Sequence, residues 1–240
     1  PGAAPFGNFP NYSQFHPPEG RVSLLPPGLL RSLFPELPRP VLALDVGCNS
    51  GELSVALFRH LLPEDNSRRD PPGAGNELNF LCCDIDAELI RRARLRCPFP
   101  RSMTFTSLDI MDPAARNSLN SHLERFGRSR FDLGFCMSVT MWIHLNHGDS
   151  GLREFLAFLA SSCSFLLLEP QPWKCYRAAA RRLRRLGRPE FRHFQTLGIR
   201  GDVAGSITRI LTRECDMELV RCFGKTGWER SLLLFRSRDS

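Results

Sequence analysis

The sequence predicts an α/β protein: a seven-stranded, mostly parallel sheet with helices on both faces. Three observations carry that prediction. Five apolar runs of strand length alternate with segments of helical period. Two more strand-like runs end the chain. A glycine-bearing turn, Asp45-Val46-Gly47-Cys48-Asn49-Ser50-Gly51, joins the first run to the helix after it.

The first twenty residues show neither period. Phe6, Phe9, Tyr12 and Phe15 among Pro, Gly and Asn predict an extended arm that packs on the domain rather than a disordered tail. Pro26-Pro27 opens a short helix through Phe34. Val41–Val46 reads as a buried parallel strand, and Glu52–Leu62 as the helix that follows it. Residues 63–77 are polar and rich in Pro and Gly, a surface loop. The second strand is Leu78–Cys83. Its helix is Ala87–Cys97, with Leu89, Ile90 and Ala93 on one face and Pro98 beyond the end. A third strand at Met103–Leu108, a helix over 113–126 and a fourth strand at Phe131–Met137 come next. Leu152, Phe155, Leu156 and Leu159 keep the i, i+3, i+4, i+7 spacing of a helix. Phe165–Leu168 is the fifth strand, Cys175–Leu186 a basic helix and Ser206–Arg213 a further helix. Met217–Phe223 and Arg230–Arg236 close the sheet. There is no internal repeat and no sign of a second domain.

The chain has 240 residues, 42% of them hydrophobic and 24% charged, enough to bury one full core. Its longest strongly apolar stretch, Phe155–Leu168, has three serines and is too short to span a bilayer. No signal-peptide pattern is present in these residues. Nine cysteines without a Cys-x-x-Cys pair argue for reduced thiols in a cytosolic or nuclear protein, not a disulfide framework. His144 and His147 lack a second ligand pair, so no metal is expected. The net charge is +7, and one segment accounts for it. Between Lys174 and Arg192 stand eight basic residues and one acid, Glu190; the remainder of the chain is balanced. Positive charge concentrated in this way points to a polyanionic partner.

The Asp45–Gly51 turn has the D-x-G-x-x-x-G spacing that resembles the S-adenosylmethionine (AdoMet) loop of Rossmann-like class I methyltransferases. Asp45, Gly47, Asn49 and Gly51 are its candidate residues. Asn49 stands where a middle glycine is usual, and Asn tolerates left-handed backbone. Asp84, ending the second strand, is placed to accept both hydroxyls of a ribose. Asp109, after the third strand, is placed to accept from an adenine amino group, while Asp86 and Asp112 read as helix N-caps. Met137 ends the fourth strand on the methionine side. A nicotinamide-dinucleotide enzyme is the rival on this fold, but the G-x-G-x-x-G order is absent.

The substrate is narrowed first by elimination. After the fourth strand stands Ser138-Val139-Thr140-Met141-Trp142, not the [DNS]-P-P-[YFW] of amino-methylating DNA enzymes. There is no Pro-Cys nucleophile of the cytosine C5 kind. Two segments are more specific: Met141-Trp142-Ile143-His144-Leu145-Asn146-His147-Gly148-Asp149, followed by Gly151-Leu152, and Glu169-Pro170-Gln171-Pro172-Trp173. With Gly7-Asn8-Phe9 and Tyr12, these resemble the bicoid-interacting family of RNA 5′-phosphate methyltransferases across nearly the whole chain.

The resemblance implies AdoMet as cofactor and methylation of the 5′-monophosphate of small RNAs in the cytoplasm, or alternatively the nucleus. Histidine tRNA and microRNA precursors are the expected substrates. It implies cofactor contacts from Arg21, Asn49, Asp84, Asp109, Ile110 and Met137, and places Tyr12 and Lys174 near the phosphate. The arm, taken as residues 1–25, would cover the site, with 26–240 as the methyltransferase domain. Asn11 and His16 stand where the capping enzymes of small nuclear RNA are expected to be basic.

Arg177, Arg181 and Arg185 share a helical stripe by their spacing, read either as an RNA rail or as a solvated face. Trp173 reads either as a stacking platform for a base or as a core residue. His147 lies beside a Gly148-Asp149 turn next to the pocket, whereas His144 reads as a structural histidine. A phosphate oxygen is already anionic, so no general base is needed, and Tyr12 and Lys174 act by positioning. The alternatives are a protein or small-molecule methyltransferase and a non-catalytic RNA-binding protein on the same fold. No membrane contact and no obligate protein partner is expected.

Overall fold

The computed structural model describes residues 3–36, 40–62 and 77–239. Seven strands form one sheet: β1 Val41–Val46, β2 Leu78–Asp84, β3 Met103–Ser107, β4 Phe131–Met137, β5 Cys163–Glu169, β6 Met217–Lys225 and β7 Ser231–Ser237. Their order is β3-β2-β1-β4-β5-β7-β6. β1, β2 and β3 pair in parallel, while β7 runs antiparallel to both β5 and β6. The described helices are α1 Tyr12–Phe15, α2 Glu19–Val22, α3 Leu29–Leu33, α4 Glu52–Leu61, α5 Ala87–Arg96, α6 Pro113–Glu124, α7 Thr140–Ser162, α8 Trp173–Arg185 and α9 Val203–Arg213. The chain divides into two compact units, one of residues 10–135 and one of residues 1–9 with 136–240.

In residues 10–135 the core is aromatic. Phe58 of α4 meets Phe80 of β2 edge-on at 5.4 Å and Phe99 at 4.7 Å, and Phe80 lies 5.7 Å from Phe135 of β4. All four are fully buried. Truncating one such ring costs about 3–5 kcal/mol. Asp132 enters the core at the start of β4 and accepts the N–H of Leu42 at 2.8 Å, with Arg128 as its ion-pair partner. Asp86 and Asp112 cap α5 and α6: Asp86 accepts the N–H groups of Glu88 and Leu89, and Asp112 that of Ala114.

In the other unit, Phe155, Leu156 and Leu159 of α7, Ile207 and Leu211 of α9, Leu166 of β5 and Phe235 of β7 are fully buried. Residues 4–9 pack on α7. Asn146 donates to the carbonyl of Pro5 at 2.9 Å, and Phe9 meets Trp142 edge-on at 6.0 Å. Gly7 permits this. A Cβ there would lie 2.2 Å from Trp142 Nε1, and its φ is +72°.

Several boundaries differ from the sequence reading. The arm holds two single helical turns, α1 and α2, too short to show a period. The helix expected from Pro26 begins at Leu29, because Gly28 turns left-handed (φ +76°). The expected turn at Gly148-Asp149 is a kink inside a 23-residue helix, where Gly148 takes φ 74° and ψ −173°. The basic helix starts two residues early, capped by Pro172 in extended conformation, so Trp173 and Lys174 form its first turn. The 63–77 loop lies outside the described residues except for Glu77.

Candidate functional site

The turn after β1 folds back on the end of β2. The N–H groups of Gly47 and Cys48 both donate to the carbonyl of Cys83, at 2.8 and 3.0 Å. Gly47, Asn49 and Gly51 all take positive φ (77°, 52° and 88°), so the backbone reverses at alternate residues. Asn49 adopts the left-handed form expected of it, and its side chain accepts the N–H of Ser50 at 2.7 Å. A Cβ at Gly51 would sit 3.0 Å from the ring of Phe105 and press it aside, on a backbone with φ +88°.

Three charged groups surround this turn. Asp84 accepts the N–H of Asn49 at 2.8 Å on one oxygen and that of Asp86 at 3.0 Å on the other. Burial pushes its pKa up. Ile85 contributes a further backbone hydrogen bond; a carboxylate has about four acceptor positions, so capacity is left for a ribose hydroxyl. Asp45 is 2% exposed and accepts from Ser54 of α4. Burial raises its pKa to about 6 against the hydrogen bond from Ser54; the Asp84 charge adds to the rise and the Arg21 charge opposes it. Its contact ties β1 to α4 and holds the turn from beneath. Arg21, wholly buried, donates to the hydroxyl of Tyr12, with its guanidinium 5.4 Å from the Tyr12 ring centroid. Asp109 is exposed and accepts the N–H of Met111 at 2.9 Å, and Ile110 beside it is buried. A buried guanidinium, a carboxylate with spare lone pairs and a glycine-lined turn suit a cofactor carrying a carboxylate, a ribose and an adenine.

In the second unit, Met137 is 5% exposed at the end of β4. Ser138 follows it with φ +61°, and its hydroxyl donates to Glu169 of β5. Arg230, at the start of β7, donates to the Ser138 hydroxyl at 2.6 Å and lies 3.9 Å from Glu169. Gln171 accepts the N–H of Met141 at 3.1 Å, joining the segment after β5 to α7. The sequence pointed to the segments containing Ser138 and Glu169, but nothing in it marked Arg230.

Lys174 is exposed and its ammonium pairs with Glu229. Arg177, Arg181 and Arg185 are exposed along one stripe of α8, with no ion pair among the described residues. Arg182, one position off the stripe, lies over Phe9 at 4.3 Å. Trp173 is half-buried and stacks on Phe194 (5.7 Å, 5°) and on Tyr176 (5.0 Å, 27°). The guanidinium of Arg200 sits 4.9 Å from its centroid. His147 is half-buried. His144 is wholly buried, with Nδ1 2.8 Å from the Tyr176 hydroxyl and Nε2 2.6 Å from Asp149. That is the satisfied structural histidine expected. Burial lowers its pKa, against the hydrogen bond to Asp149. Asp149 also accepts the N–H groups of Gly198 and Ile199 at 2.7 and 3.3 Å.

No disulfide joins the nine cysteines, and burial pushes the thiols of Cys48, Cys82 and Cys83 upward. Among the described residues no group of His, Cys, Asp and Glu is arranged to hold a metal, and no helix is long and apolar enough to cross a membrane.

Residues 131–237 match the sequence model of the family described as Bicoid-interacting protein 3 (Bin3). An RNA 5′-monophosphate methyltransferase of Bos taurus is 63% identical over 243 residues, covering 100% of this chain and 83% of that protein. A pre-miRNA 5′-monophosphate methyltransferase of Xenopus laevis is 57% identical, covering 98% of this chain and 93% of that protein. Among solved structures, the N-methyltransferase NodS of Bradyrhizobium japonicum, in complex with S-adenosylhomocysteine, superposes with a TM-score of 0.55. It is 16% identical and covers 95% of this chain and 91% of its own, a likeness of fold. Matched along its whole length at this identity, the chain belongs to the Bin3 family and is a methyltransferase.

Proposed function

We propose that this methyltransferase uses AdoMet to methylate the 5′-monophosphate of small RNAs, among them histidine tRNA and microRNA precursors. The observation that carries the proposal is the full-length similarity to relatives named for that acceptor. The exposed arginine stripe of α8, opening on Lys174, agrees with it. When bound, AdoMet supplies an electrophilic methyl on a sulfonium and leaves as S-adenosylhomocysteine.

The chain's own residues have binding and alignment to perform. Arg21 is assigned to the cofactor carboxylate and Asp84 to the ribose. Asp109 and Ile110 are assigned to the adenine, and Met137 to the methionine chain. The turn from Asp45 to Gly51 shapes the approach. Tyr12 and Lys174 are assigned to the 5′-phosphate. The acceptor oxygen is already an anion, so no side chain has to remove a proton. Alignment of such a pair is worth up to about 10 kcal/mol. Lys174 must orient the phosphate through one charge-assisted hydrogen bond and leave the attacking oxygen uncovered. Arg177, Arg181 and Arg185 follow the RNA backbone. A terminal base would stack on Trp173 where the Arg200 guanidinium now lies, with His147 close to the RNA end. Cysteines without disulfides, five of the nine buried, agree with a cytoplasmic setting.

The test is methyl transfer from labelled AdoMet to one RNA carrying either a 5′-monophosphate or a 5′-hydroxyl. Label is expected on the first alone. Equal labelling of both would refute the phosphate as acceptor, and no labelling of either would favour RNA binding without catalysis.

A further inference from the structure

The connection between β6 and β7, Thr226-Gly227-Trp228-Glu229-Arg230, has no part in the assignments above. It is tightly built. Thr226 N–H donates to the Arg230 carbonyl and Glu229 N–H to the Thr226 carbonyl, both at 2.9 Å. Arg230 N–H donates to the Thr226 hydroxyl at 3.1 Å. The Arg230 side chain is anchored on Ser138 and Glu169, 9% exposed. Between these fixed points Glu229 takes φ +64°, a backbone form that a side-chain-bearing residue enters at a cost.

The carboxylate so placed meets Lys174, 55 positions away in sequence. Lys174 is the second residue of α8. That helix has no acid in its first turn, and its N-cap, Pro172, makes no side-chain cap. Glu229 therefore supplies from another element the negative charge that the first turn lacks. The two side chains are 51% and 70% exposed, so the pair is weak and a stronger anion displaces it readily.

We propose that Glu229 is a specificity-determining residue for the RNA 5′ end. It neutralises Lys174 in the free enzyme, yields it to a 5′-monophosphate, and then repels longer 5′-phosphate chains. The inference rests on the assignment of Lys174 to the phosphate. A monophosphate brings about −2 and replaces one anion with another. A triphosphate brings roughly twice that charge and must place it near the Glu229 carboxylate, whose backbone the Thr226–Arg230 hydrogen bonds fix. Discrimination then comes from like-charge repulsion as well as from pocket shape.

The experiment uses one small RNA. Its 5′-monophosphate form is the methyl acceptor (KM and kcat), and its 5′-triphosphate form is the competitor (Ki). Wild type, Glu229→Gln, Lys174→Met and the double variant are compared at saturating AdoMet. Glu229→Gly is a second charge-removing change suited to the positive φ. Both Glu229 variants are expected to lower KM about two- to fivefold, the scale of an exposed ion pair, with the change falling on KM rather than kcat. The ratio of Ki to KM should fall by a similar factor again. In the Lys174→Met background, Glu229→Gln should do neither. If Lys174→Met raises KM but both Glu229 variants keep the wild-type ratio, the inference is overturned and the assignment of Lys174 stands. If Lys174→Met leaves KM unchanged, that assignment fails, and the inference with it.

Discussion

Asp45 holds its carboxylate out of water beneath the Asp45–Gly51 turn, and its pKa of about 6 reports what that costs. The ordinary value is 3.8. Between about pH 4 and 6 the folded protein keeps a proton that the unfolded chain has released. Stability therefore falls as pH rises through this window, by up to about 3 kcal/mol above it. Asp45→Asn keeps an acceptor for Ser54 and removes the charge. Without cofactor, this variant should gain in melting temperature relative to wild type as pH rises from 4.5 to 7.5. A difference that stays constant with pH would show that the buried carboxylate is not the cause.

The residue scale also shows what composition conceals. Asn49 takes a left-handed conformation normally left to glycine, so the loop retains its shape without the middle glycine. This was legible in the sequence, because the requirement is local. That Asp45 faces Ser54 inside the core, while Asp84 accepts the Asn49 and Asp86 N–H groups, was not legible. Both are acids at strand ends, and only burial separates their roles.

At the scale of elements, α8 was readable as a basic helix because eight positive residues fall within nineteen positions. Its stripe of Arg177, Arg181 and Arg185 followed from the helical period, and the structure leaves all three exposed. If this stripe tracks RNA phosphates, Arg181→Ala with Arg185→Ala should flatten the plot of log affinity against log salt. The slope should change by about 0.7–0.9 for each phosphate no longer neutralised, with AdoMet affinity untouched. An unchanged slope would leave the stripe as a solvated face.

A second device at this scale is the kink in α7. Gly148 breaks the helix, and Asp149, next in the chain, then reaches His144 and the N–H groups of Gly198 and Ile199. His144 in turn touches Tyr176 of α8. One carboxylate thus ties α7 to the 194–200 segment, and His144 links it to α8. Asp149→Asn weakens charge-assisted hydrogen bonds worth about 1.5–3 kcal/mol each. Amide hydrogen exchange at residues 198 and 199 should become faster in this variant. Unchanged protection there would show that the segment is held by other contacts.

For the whole molecule, the family and the fold agree. A chain matched along its full length by 5′-monophosphate methyltransferases has a seven-stranded, mostly parallel sheet and the fold of a solved methyltransferase. Binding of AdoMet to the folded state alone should stabilise it by about 2.7 kcal/mol at one hundred times Kd. In a domain of this size that corresponds to roughly 5–10 °C in thermal unfolding. Gly47→Ala, which forces a side chain onto positive φ, should abolish most of that shift. A full shift in the variant would sink the assignment of the turn.

The sequence by itself determined the succession of the seven strands and the helices between them, the glycine-bearing turn after β1, the two helix-capping aspartates and the concentration of charge in α8. Each is a matter of neighbours a few residues apart, where periodicity and backbone preference act. Only the tertiary structure decided which charges meet. Lys174 and Glu229 pair across 55 positions, and Ser138, Glu169 and Arg230 gather from three different strand ends. Those meetings depend on β7 lying antiparallel beside β5. No local period encodes that adjacency, because it is set by which apolar faces bury one another when the sheet closes.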